Sequence, residues 1–139
     1  MTPRAGEVHH VAIAVPSIAD ALPFYRDVLG LTVGGTRDVP DQHVRISFLA
    51  AANTRVELVE PLDADTGVAR FVAERGKPAL HHLCFVVDDL AGTLDRLAAR
   101  GVELVDRVPR AGAEGDVAFL HPRASDGVLV ELIDRKTIR

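Results

Sequence analysis

The chain has 139 residues, of which 47% are hydrophobic and 26% charged, an ordinary globular composition that gives no reason to expect global disorder. Sixteen Lys and Arg against twenty Asp and Glu leave a formal net charge of −4 without a long basic run, which argues against a broad nucleic-acid footprint or a polybasic membrane surface. The single cysteine, Cys84, rules out an intrachain disulfide, and with no apolar signal core or membrane-length apolar run a soluble cytoplasmic protein is expected.

From His9 to Val15 the residues alternate as in a strand, with Val11, Ile13 and Val15 on one face and His10, Ala12 and Ala14 on the other. Pro16 ends it and Ser17 can cap the next element, where "IADALPFYRDVLG" sets Ala21, Leu22, Phe24, Tyr25, Val28 and Leu29 at helical spacing until Gly30. "LTVGGTRDV", "HVRISFLAA" and "TRVELVEPL" follow as three strands separated by turn residues. This gives a βαβββ module over about residues 8–62, then a linking helical segment over 63–79 carrying Val68, Phe71 and Val72.

The second half repeats that order over 80–134. "LHHLCFVV" is the strand, "DDLAGTLDRLAARG" the helix with Leu90, Leu94, Leu97 and Ala98 as its apolar stripe, and "VELVDRV", "DVAFLHP" and "GVLVELID" are three further strands. A separate half of about 70 residues would be marginal alone, so residues 1–139 are expected to form a single α+β domain.

Polar intrusions repeat with the elements. His82 follows His10 by 72 positions, Gly101 follows Gly30 by 71 and Glu131 follows Glu57 by 74, each glutamate lying within Val-Glu-Leu. An inward carboxylate in such a strand is costly without a partner. Any one of these residues alone reads more readily as structural, but coincidence at four equivalent places argues for a shared role. His10, Glu57, His82 and Glu131 would give two nitrogen and two oxygen ligands to a divalent ion, and cobalt, manganese, nickel, zinc, iron and magnesium all remain open. His9 and His81 form a second repeated pair, expected on the opposite face.

Along "HHVAIAVPSIADALPFYRDVLGL", "NTRVELVEPL", "LHHLCFVVDDL" and "FLHPRASDGVLVELID" the chain resembles the vicinal oxygen chelate superfamily and, within it, the methylmalonyl-CoA epimerases. The last segment carries most of the specificity. The resemblance implies paired βαβββ modules whose mixed sheet curls around a divalent metal, and its ligands carry over as the same four residues. It further implies an acyl-CoA substrate and metal-assisted epimerisation of (R)- and (S)-methylmalonyl-CoA, in which one group removes the α-proton through an enolate and another returns it.

Glu131 is the expected acid/base and Glu57 the second, with His43 or a bound water as alternatives. Some epimerases have an extra glutamate on the strand matching "HVRISFL", where this chain has no carboxylate. His121 reads either as a substrate-facing loop residue or as a turn residue bonded to local backbone. Arg123 and Lys77 are possible anion contacts, although exposed residues of these types commonly have no such role, and Cys84 reads as a small buried hydrophobe. A homodimer is expected. The rivals are a glyoxalase-type lyase or isomerase acting on a thiol adduct, and a metal-free binding protein of the antibiotic-sequestering kind.

Overall fold

Apolar alternation becomes strand, and strand register decides which side chains share a face. The computed structural model describes residues 6–139. In order, the elements are β1 (Glu7–Ala14), α1 (Ile18–Pro23), β2 (Thr32–Val39), β3 (Val44–Ala50), β4 (Arg55–Pro61), α2 (Gly67–Arg75), β5 (Ala79–Val87), α3 (Leu90–Ala99), β6 (Arg110–Ala111), β7 (Asp116–Leu120) and β8 (Val130–Asp134). The architecture is α+β, and the βαβββ order occurs twice. Two compact units are resolved, His10–His81 and His82–Arg139 together with residues 6–9. The first strand is thus divided: Gly6 donates its N–H to Val86 O at 3.1 Å and Glu7 pairs with Arg135 at 2.8 Å, tying that end to the second unit.

In the first unit the strands lie in the order β2-β3-β4-β1, with β1 parallel to β4 and the other pairs antiparallel. Ile13 pairs with Leu58 and Val56 with Leu49, so these apolar side chains share a face. On it α1 builds a core of Val15, Ile18, Leu49 and Leu58, joined by Ile13, Leu22, Tyr25 and Val33. Ser17 caps the helix by accepting from Asp20 N–H at 3.2 Å. The continuous helix expected over this stretch is instead split, becoming a π-turn over Phe24–Val28 after Pro23. Proline has no N–H to continue the α ladder, and the chain closes by longer bonds, Leu29 N–H to Phe24 O at 3.0 Å and Leu31 N–H to Tyr25 O at 2.9 Å. Gly30 makes this reversal at φ 76°.

The second unit repeats the scheme in the order β5-β8-β7-β6, with β5 parallel to β8. The apolar stripe of α3 meets one face in a core of Val87, Leu90, Leu94, Ala118 and Leu132, and Asp89 caps the helix through Gly92 N–H at 3.2 Å. Cys84, Val86, Val117 and Ile133 are buried on the other face.

One expected strand is corrected. "VELVDRV" makes only an isolated bridge, Leu104 to Leu120. Val105 and Asp106 both donate to Phe119 O, at 3.0 and 3.1 Å, while the Asp106 carboxylate takes the Phe119 N–H at 2.8 Å. A side chain thus replaces a ladder bond, as at a bulge, and regular pairing resumes only past Pro109, at Arg110. The linking segment holds α2, capped by Thr66 and ended at Gly76. Among the described residues no helix is long and apolar enough to cross a membrane.

Candidate active site

The same local arrangement appears once in each unit. In the first, Ala12 stands opposite Glu57 and His10 lies two residues back on that face. The imidazole Nδ1 is 3.2 Å from Glu57 Oε2, with both side chains buried. In the second, Cys84 stands opposite Glu131, His82 lies two residues back, and His82 Nε2 is 3.1 Å from Glu131 Oε1. The residues opposite the glutamates, Ala12 and Cys84, are small and fully buried. On the other side of each glutamate a phenylalanine is its antiparallel partner, Phe48 for Glu57 and Phe119 for Glu131. The helices cover the opposite faces, so the polar pairs and the packing cores are separated by the pleat.

A carboxylate at 3 to 5% exposure needs positive charge nearby, supplied by a protonated imidazole or by a cation. Neutral imidazole and carboxylate are also the donor set of divalent first-row metals and, through oxygen, of magnesium. The residues present therefore fit a divalent ion.

The remaining expected residues divide clearly. The His9 ring nitrogen comes within 4.8 Å of the Cys84 sulfur and of a Glu114 carboxylate oxygen. His81 packs edge-on against Phe71 of α2, centroids 5.0 Å apart. His43 has φ 57° at the end of a 3₁₀ turn and pairs with exposed Asp63 at 2.9 Å. It does not join the His10–Glu57 pair.

His121 is the turn residue of its two readings, its Nδ1 accepting from Arg123 N–H at 3.1 Å. The Arg123 guanidinium is engaged with Glu103 at 2.6 and 3.0 Å and holds that carboxyl below its usual range. Cys84 is fully buried and Lys77 exposed. Sequence reasoning missed Phe48, Phe119 and two arginines stacked on them, Arg37 and Arg110, at 5.3 and 5.5 Å from the ring centroids. The available signal was their repeat at 71 and 73 positions.

Comparison with known proteins agrees with this architecture. A model of the Glyoxalase/Bleomycin resistance protein/Dioxygenase superfamily matches residues 9–119. An ethylmalonyl-CoA/methylmalonyl-CoA epimerase of Cereibacter sphaeroides is 40% identical over 129 residues, covering 91% of this chain and 96% of that protein. The crystal structure of methylmalonyl-CoA epimerase from Mycobacterium tuberculosis superposes with a TM-score of 0.89 at 33% identity, covering 96% of this chain and 91% of that one. A methylmalonyl-CoA epimerase in complex with methylmalonyl-CoA and NH4+ gives 0.87 at 27% identity, covering 97% and 99%.

Proposed function

Because the chain belongs to the glyoxalase/bleomycin resistance protein/dioxygenase superfamily, we propose that it is an isomerase interconverting the (R) and (S) epimers of methylmalonyl-CoA. The observation that carries this reading is the buried His–Glu pair repeated on one strand face of each module, in a chain similar over nearly its whole length to epimerases of that substrate. The repeated histidines and glutamates, His10, Glu57, His82 and Glu131, would hold a divalent ion, and the chain is proposed to act as a single domain. When bound, the ion supplies positive charge that lowers the cost of enolate formation at the thioester.

The chain's own residues handle the proton. The Glu131 carboxylate removes it from the α-carbon, burial keeping water from competing for the base. Glu57 serves the opposite side and, to return a proton to the α-carbon, acts in its protonated form and therefore released from the ion. Two such groups are required, since inversion needs an acid and a base on different faces of one carbon. Homodimer formation and cytoplasmic residence belong to the same proposal, the first read by light scattering on the eluting protein.

Protein reconstituted with cobalt and given methylmalonyl-CoA in heavy water is expected to incorporate deuterium at the α-carbon as the epimers equilibrate. Neither exchange nor epimerisation, with cobalt bound, would overturn this reading. Conversion of a hemithioacetal instead would identify glyoxalase-type chemistry, and an active-site ligand bound without metal would identify a binding protein. Two buried His–Glu pairs disfavour the last, because unneutralised inward charge costs a binder stability.

A further inference from the structure

The second module carries a continuous series of side chains on the face that holds its His–Glu pair. His82 Nε2 meets Glu131 Oε1 at 3.1 Å. Phe119 is the cross-strand partner of Glu131 and stands edge-on to the His82 ring at 5.3 Å. Arg110 pairs with Val117, two residues from Phe119 and therefore on its face. Its guanidinium carbon lies 5.5 Å from the Phe119 centroid. The first module holds the same series: Arg37 over Phe48, Phe48 opposite Glu57, and Glu57 beside His10.

Arg110 is held from two directions. Asp106 Oδ2 lies 3.4 Å from its Nε and is itself fixed by the Phe119 N–H at 2.8 Å. The hairpin behind it is closed by Gly112 N–H to Gly115 O at 2.8 Å. Asp106 approaches on the Nε side, and no other partner for the two terminal amino groups is found among the described residues. The arginine side chain is 44% exposed. A guanidinium lying over a ring and paired on its Nε side, with a pair of donors open, suits an anion presenting two oxygens.

We propose that Arg110 determines specificity by receiving an anionic group of the acyl-CoA substrate, a carboxylate or a phosphate. The inference rests on the reading above that acyl-CoA is the substrate. Arg110 transfers no proton; it fixes an anionic end of the substrate relative to the Glu131 carboxylate, and its contribution falls on binding.

The test compares wild-type, Arg110→Met and Arg110→Lys metal-loaded proteins with methylmalonyl-CoA and with the methylmalonyl thioester of pantetheine, which lacks the phosphates. Arg110→Met is expected to raise KM for the CoA thioester about tenfold with kcat within about threefold, and Arg110→Lys to recover part of the loss. If the KM effect persists with the pantetheine thioester the contact is to the carboxylate; if it vanishes, the contact is to a phosphate. An unchanged KM on both, or a fall in kcat alone, would overturn the proposal and leave Arg110 as a brace for Phe119.

Calorimetric titration with malonyl-CoA separates this from the epimerase reading. Arg110-dependent binding by a wild-type protein that turns nothing over would overturn the epimerase reading and keep the anion contact. Arg110-independent binding would overturn the contact.

Discussion

Glu131 and Glu103 are both glutamates in contact with a basic side chain, and their surroundings give them different roles. Glu131 is 5% exposed beside His82 and opposite Cys84, a setting that shields the carboxylate proposed as acid/base from solvent. Glu131→Gln keeps the shape and removes the charge, and is expected to lower kcat for α-proton exchange by about 10²–10⁴, read by deuterium incorporation with the fold checked by circular dichroism. Glu103 instead meets Arg123 at the surface, and that hydrogen bond lowers its carboxyl below the ordinary value of 4.5. A depressed carboxylate contributes stability above the unfolded value, and the contribution is lost as pH falls through the folded one. Full at pH 7, this contribution is screened by salt. Glu103→Gln is expected to flatten the acid limb of a Tm-against-pH curve slightly in dilute buffer and not at all in 1 M salt, leaving epimerisation unchanged.

At the scale of elements, two glycines hold chain reversals for different reasons. Gly30 ends the first helical segment at φ 76° with nothing within 4 Å of an added Cβ. Gly30→Ala therefore meets only the backbone penalty of the left-handed region, about 1–2 kcal/mol. Gly112 sits in the β6–β7 hairpin, where a Cβ would come 2.9 Å from Gly115 O and 3.0 Å from Val117 Cγ2. The 2.8 Å Gly112–Gly115 hydrogen bond prevents easy retreat. Gly112→Ala is expected to cost about 1–3 kcal/mol by overpacking and also to raise KM by displacing Arg110, whereas Gly30→Ala leaves KM alone. Urea denaturation and initial rates on the same preparations check both.

For the molecule as a whole, an ion that binds the folded chain and not the unfolded one adds stability in proportion to the logarithm of its free concentration. At a thousandfold excess over Kd the gain is about 4 kcal/mol. Chelation is expected to lower Tm by several degrees, reversibly on adding cobalt. His82→Ala is expected to abolish that dependence because its ligand is gone. A metal-dependent Tm retained in His82→Ala would remove His82 from the ligand set.

Much of this was legible in one dimension. Period-two alternation at 9–15 and 81–87, the leucine stripe of α3 and the capping residue Ser17 are set by neighbours a few positions apart. The four polar residues stood out because a single histidine or glutamate in an apolar strand is conspicuous, and they stood out twice. Tertiary structure alone decided what depends on distant partners. The "VELVDRV" run has a strand's composition, but Asp106 takes the Phe119 N–H and breaks the ladder. The arginine–phenylalanine stacks were invisible for the same reason: Arg110 and Phe119, like Arg37 and Phe48, meet through strand register, and register is fixed only when the faces choose their sides.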